Sequence, residues 1–184
     1  MNKNINVPGL LDLDQIGYSP TKSDICSNIS ENLGKMGFSI TVLNDQKPWG
    51  AYWVINDRQT DKFIQTFFAG QNLPNWIGGN TLSPKILLVL PGEMLSFQVH
   101  ERRGELWQVL HGPVGVILSE TKILPSNHEI YEIGDLINIK ERVNHRLIGL
   151  DTIGVVAEIW VHIDHKNPSN EEDLKRLDDK YSRQ

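Results

Sequence analysis

The apolar positions of the chain follow two periods. Near the start, Ile25, Ile29, Leu33 and Met36 recur at spacings of four, four and three, which gathers them on one face of a helix. Ser19-Pro20-Thr21 reads as its start, Gly34 weakens it, and Gly37 can end it. An amphipathic helix of this kind must lie on something, either the main domain or a partner. From residue 46 the pattern shortens. Runs at 51–55, 63–68, 86–90, 94–100, 106–110, 114–118, 130–133, 136–139, 146–148 and 155–163 are mostly rich in β-branched or aromatic residues. Pro91-Gly92, His111-Gly112-Pro113, Pro125-Ser126-Asn127 and Gly134-Asp135 punctuate them. Many short strands with regular turn signals predict a β-sandwich or barrel. Residues 69–84 read as a long polar loop around Trp76. Residues 164–184 form a polar tail in which Ser169 or Asn170 can cap a short helix opened by Glu171, Glu172 and Asp173. The expected division is an N-terminal extension over 1–45, a β-barrel over 46–163 and the tail.

Composition narrows the class without naming a function. The chain has 184 residues, 39% hydrophobic and 22% charged, which excludes a collagen-like or wholly disordered polymer. A net charge of −5 offers no basic surface to nucleic acid. No apolar run is long enough to span a bilayer. The opening MNKNINVPGLLDLDQIG lacks the apolar core and cleavage site of a secretory signal, and Cys26 is the sole cysteine. Both features lead to the expectation of a cytoplasmic protein.

Chemistry concentrates between Pro91 and Gly112. Strand side chains alternate, so Gln98 and His100 share a face; the turn at Glu101-Arg102-Arg103-Gly104 then brings Glu105 back beside them. A second strand–turn–strand stretch after Gly134 contains His145. These donors could converge on one cation, since imidazole suits Zn, Cu, Fe or Ni and carboxylate or amide oxygens suit harder ions. The alternative is a buried polar cluster that satisfies its own hydrogen bonds.

The spacing Gly92-x5-Gln98-x-His100-x4-Glu105-x6-Gly112 resembles the first cupin motif, with Gln in place of the usual first His. The second motif is partly present from Gly134 through His145. Within that superfamily the chain resembles the cupin domain of type II mannose-6-phosphate isomerases. The resemblance is carried by Pro91-Gly92, Leu95-Ser96-Phe97-Gln98-Val99-His100 and Arg103-Gly104-Glu105-Leu106-Trp107. Looser matches are Pro48-Trp49-Gly50, Tyr52, Lys85, His145-Arg146, Glu158, and the tail at Glu172-Asp173, Arg176 and Asp179-Lys180-Tyr181. Lys140, Arg142 and Gly149 stand where cupins usually have Pro, Gly and Asn. Leu106, Ile86 and Trp160 replace a His, a basic residue and a Gln of the isomerases.

The resemblance implies an all-β cupin jelly-roll barrel with an N-terminal amphipathic helix and a short C-terminal helix. It implies one divalent metal ion (Zn, Fe, Mn, Co or Ni) on Gln98, His100, Glu105 and His145. The implied activity is isomerisation of an aldose phosphate to a ketose phosphate through an enediol. Arg103 and Lys85 are candidates for holding the phosphorylated sugar, and Glu158, which interrupts an apolar strand, is the candidate base. A homodimer is expected, with neither nucleic acid nor membrane as partner. Two other readings stay open: a metal-containing carbohydrate-binding cupin without catalysis, and an iron-dependent oxygenase.

Overall fold

The computed structural model describes residues 9–12 and 20–183. The first helix, α1 (Lys22–Lys35), begins where Thr21 and Asp24 cap one another: the Thr21 hydroxyl accepts from the Asp24 amide, and the Asp24 carboxylate accepts from the Thr21 amide. Ser19 of the expected start lies outside the described residues. Gly37, at φ 74°, takes the left-handed conformation that stops the helix.

Eleven antiparallel strands follow in two sheets. The first holds β1 (Ile40–Asn44), β2 (Gly50–Ile55), β3 (Thr81–Val89), β5 (Arg103–His111), β8 (Leu136–Ile139) and β10 (Gly154–His162), ordered β1-β2-β3-β10-β5-β8. The second holds β4 (Phe97–Val99), β6 (Val114–Ser119), β7 (Glu129–Tyr131), β9 (Asn144–Gly149) and β11 (Lys175–Asp178), ordered β11-β4-β9-β6-β7. The sheets are not closed into one continuous barrel.

Three expectations from the pattern change. Of residues 63–68, expected as a strand, 63–67 belong to a second helix, α2 (Thr60–Phe67), and Phe68 caps its end. Phe63 and Phe67 are four apart, one helical turn, and their rings meet edge-on at 4.8 Å in the core. Apolar packing decides here, because aromatic residues suit a strand and a buried helix alike. The loop at 69–84 is shorter than expected, since β3 already starts at Thr81. Pro84 is tolerated in that strand because pairing with β2 begins only at Lys85, so no second ladder needs its missing N–H. In the tail, the short C-terminal helix is a single 3-10 turn at Glu171–Asp173, and the unforeseen strand β11 follows it.

Two cores result. On the outer face of the six-stranded sheet, Trp53, Ile86, Leu88, Leu106, Ala157 and Ile159 pack against Ile25, Ile29 and Leu33 of α1 and Phe63 and Phe67 of α2. The Trp53 indole donates to the Ser30 hydroxyl of α1 at 2.8 Å, tying helix to sheet. Between the sheets, Leu87, Val89, Trp107, Val109, Val116, Leu147 and Val156 form the second core. That second core fills only one end of the sandwich. Toward the other end the inward positions of the same strands become polar.

Candidate functional site

The register of β3, β10 and β5 stacks these inward residues in layers. Glu158 lies opposite both Lys85 and Trp107; Trp160 lies opposite Ser83 and Glu105; His162 lies opposite Arg103. From the facing sheet, Gln98 of β4 lies opposite His145 of β9. His100, just past the end of β4, completes the group.

His100, Glu105 and His145 are each no more than 2% exposed, and one donor atom from each lies within 4.8 Å of the others. His100 Nε2 is 3.2 Å from Glu105 Oε1, and His145 Nε2 is 3.4 Å from Glu105 Oε2. Their Nδ1 atoms face backbone carbonyls, of Asp173 at 2.7 Å and Val143 at 2.9 Å. A carbonyl only accepts, so neutral His100 and His145 carry the proton on Nδ1 and aim an Nε2 lone pair at Glu105. That is how outer hydrogen bonds prepare imidazoles for a metal. Gln98 places its amide nitrogen 3.4 Å from both Nε2 atoms, while Ser96 donates to its oxygen at 2.9 Å. A hydroxyl can also accept, so the same pair of groups supports the amide with its oxygen turned inward. Two imidazole nitrogens, a carboxylate and an amide oxygen form a donor set that fits a divalent transition metal.

Arg103 is locked into the same cluster. It donates from Nε to Glu105 at 2.9 Å, from Nη1 to the Ser169 hydroxyl at 2.7 Å and the Asn170 carbonyl at 3.2 Å, and from Nη2 to His100 Nε2 at 3.0 Å. A cation on that His100 lone pair and the Arg103 hydrogen bond exclude one another. Burial alone would raise the Glu105 carboxyl, but the charge and hydrogen bonds of His100 and His145, when these imidazoles are protonated, hold it well below the ordinary carboxylate range. Glu158 is displaced the other way. Burial first, then the charge of Glu105, push its carboxyl up to about 8, against the pull of Lys85 and Arg103. The Trp107 indole N–H bridges the two carboxyl groups, at 3.1 Å from Glu105 and 3.0 Å from Glu158.

Of these groups Gln98, Arg103, Glu105 and Glu158 line a cavity of about 550 Å³, its open mouth included, whereas His100, His145 and Trp107 do not reach its surface. Lys47, Lys85, Arg103, Arg176 and Arg183 line it, with Glu105, Glu158 and Glu171, so cations outnumber carboxyl groups around the opening of a net-negative protein. Trp160 forms part of the wall, with Lys85 Nζ 3.2 Å and the Arg103 guanidinium 3.5 Å from the centre of its ring. The tail closes one side. Asp173 accepts from the Glu101 and Arg102 amides and from Ser169, and β11 pairs with β4.

The structure thus brings together all seven residues singled out by sequence: Gln98, His100, Glu105, His145, Arg103, Lys85 and Glu158. It also sorts the departures from the family pattern. Leu106 and Ile86 point away from the cavity into the outer core, and Arg142 is exposed, so none of the three removes a group from the cavity. Gly149 is dictated by backbone proximity, since a Cβ there would lie 2.0 Å from the Leu90 carbonyl oxygen. Only Trp160 changes the cavity wall. Sequence reasoning passed over His162, buried with Nε2 3.0 Å from the Ser83 hydroxyl, and the tail residues Ser169 and Asn170 that hold Arg103. The alternation Glu158-x-Trp160-x-His162 was the available signal for the first. The tail contacts span more than sixty residues of chain and leave no local signal.

No family model matches the chain. Among curated proteins it is 33% identical over 106 residues to the mannose-1-phosphate guanylyltransferase ManC of Salmonella typhimurium, a match covering 57% of this chain and 20% of that protein. Among solved structures it superposes on the capsular polysaccharide assembling protein CapF of Staphylococcus aureus with a TM-score of 0.51 and 15% identity, covering 85% of this chain and 38% of CapF. A cupin-2 domain protein of Rhodospirillum rubrum aligns with a TM-score of 0.45 and 14% identity, over 74% of this chain and 78% of that one. The chain therefore spans about a fifth of the curated relative and well under half of CapF. With its motif and its two facing antiparallel sheets, the chain has the cupin fold and resembles the cupin domain of type II mannose-6-phosphate isomerases.

Proposed function

We propose that the chain is a metal-dependent sugar-phosphate isomerase that interconverts an aldose phosphate and a ketose phosphate through an enediol. The observation that carries this reading is the Trp107 N–H shared between Glu105 and Glu158, which joins the donor cluster to a second buried carboxyl group at a cation-lined cavity. Gln98, His100, Glu105 and His145 would hold one divalent ion of the Zn, Fe, Mn, Co or Ni kind. Such an ion, when bound, stabilises negative charge developing on substrate oxygens. Glu158 accepts and returns the proton moved between C2 and C1, held in place by Trp107. Lys85 and Arg103 attract the phosphate, and Trp160 offers a flat apolar face to the sugar ring. The relative named for mannose 1-phosphate supports the substrate class.

A second reading, a carbohydrate-binding cupin without catalysis, is favoured by the full internal commitment of Arg103 and by Trp160 in place of Gln. Metal-loaded protein in deuterated water with mannose 6-phosphate and related hexose phosphates separates the two. Ketose formation with deuterium entering C1 or C2 is expected. Binding without turnover or exchange would leave only the second reading standing. A homodimer belongs to the same proposal, supported by the exposed Val42 and Leu43 on edge strand β1; a monomer in light scattering would remove it.

A further inference from the structure

Lys85 and Glu171 form an ion pair of unequal partners. Their charged atoms are 2.8 Å apart, but the Lys85 side chain is 7% exposed and that of Glu171 63%. Lys85 sits against the Trp160 ring and 5.3 Å from the Tyr52 ring, on a central strand, and it cannot leave. A buried ammonium without a counter-charge is costly, so the lysine requires an anion. In this structure the protein supplies one from its own tail. The 3-10 turn bearing Glu171 is pinned on both sides, by Ser169 and Asn170 on Arg103 and by Asp173 on the Glu101 and Arg102 amides. Glu171 is thereby directed at the cavity, where Lys85, Arg103 and Lys47 act on it and hold its carboxyl low despite the partial desolvation that opposes them.

The exposure difference decides which partner moves. Glu171 can turn into water once another anion takes its place, because its own carboxylate is already largely solvated. Lys85 has no such freedom. A phosphate brings more charge and three acceptor oxygens to the same ammonium. We propose that Glu171 is an internal anion standing in for the phosphate of the substrate at Lys85, and that an anionic ligand enters by displacing it. This rests on the reading of the cavity as a sugar-phosphate site and deepens it. The subsite selects anionic over neutral sugars, and Glu171 sets how strongly an anion must bind to gain entry.

The test is calorimetric titration of inorganic phosphate into the full-length chain in the presence of chelator, so that phosphate has no metal to bind. Native protein, Glu171→Gln, Glu171→Ala and the double variant Glu171→Gln with Lys85→Met are compared, each checked for native melting. Both single variants are expected to bind phosphate about ten-fold more tightly than native, and the double variant to lose that gain. Unchanged or weaker affinity in the single variants, a gain that survives Lys85→Met, or no phosphate binding by any of the four proteins overturns the proposal. The isomerase reading is scored separately by turnover. Tightening without any ketose formation would retire that reading and keep this one, and ketose formation with no tightening would do the reverse.

Discussion

Strands β3, β5 and β10 are buried on both faces, yet at one end of the sandwich the two faces differ sharply in chemistry. Outward, Ile86, Leu88, Leu106, Val155, Ala157 and Ile159 meet the helices in a nearly unbroken apolar layer. Inward, a few ångströms away, the same strands present Lys85, Arg103, Glu105, Glu158, Trp160 and His162. Apolar burial stabilises without regard to partner, so the outer layer contributes to folding directly. Buried charges repay their desolvation only through well-made pairing, so the inner layer is costly to stability and useful for binding. The helices α1 and α2 thus secure the sheet from behind, which frees its inner end to carry polar groups.

Substitutions on the two faces are therefore expected to fail in different ways. The largest effect on folding falls on the outer face. Trp53→Ala removes a fully buried ring and the partner of the Ser30 hydroxyl, and is expected to cost about 3–5 kcal/mol in urea unfolding while folded protein keeps its metal affinity. A Trp53→Ala variant that kept native stability would break the comparison. Glu105→Gln should do the opposite: metal affinity measured by competition with a chromogenic chelator falls by at least about 100-fold, because the one charged donor is gone. Unaltered affinity would place the ion elsewhere.

Gln108 sharpens the comparison because it breaks the outer pattern. It is fully buried between Ala157 and Leu136, and both ends of its amide lack a hydrogen-bond partner among the described residues. Gln108→Leu is expected to raise stability by about 1–2 kcal/mol, since it removes an unpaired buried amide from an apolar layer. A loss of stability in the same denaturation series would show that the amide has a role.

The smallest effect concerns the tail. Glu171, Asp173 and Asp179 all have carboxyl groups held below their ordinary range. Burial opposes that lowering most strongly in the first two, where Lys85 and the Ser169 hydroxyl respectively overcome it; in Asp179 the Arg183 hydrogen bond dominates. A depressed folded pKa contributes stability that is fully present above the unfolded value and is lost as pH falls through the folded value. The amides of β11 are expected to lose exchange protection below about pH 4 while the outer layer stays protected. Simultaneous loss in both regions would show that the tail is not a separate unit.

Legibility in the sequence followed distance along the chain. The helix from Thr21 rests on a cap and a period contained within about fifteen residues and is found in place. The stretch carrying Gln98, His100, Arg103 and Glu105 does bring them together, but β4 and β5 face one another from opposite sheets instead of pairing as the expected hairpin. Residues 63–68 read as a strand because their aromatic content suits two elements equally, and only packing against Phe38 and the sheet chose the helix. The strand β11 was invisible because Lys175-Arg176-Leu177-Asp178 is a polar edge with no alternation to detect. Glu158 stood out as a charge in an apolar run, and Glu105, Lys85 and Arg103 stood out separately, but the burial that joins with Glu105 to push the Glu158 carboxyl up did not.

The order of residues alone determined the two-sheet β architecture, the leading helix and the set of donors that could share a site, because side-chain alternation, helix caps and turns are local properties of the backbone. Only the tertiary structure decided that Arg103 is held by the tail and that Glu171 rests on Lys85. Those outcomes depend on which distant segments pack together and on how far each charge is removed from water.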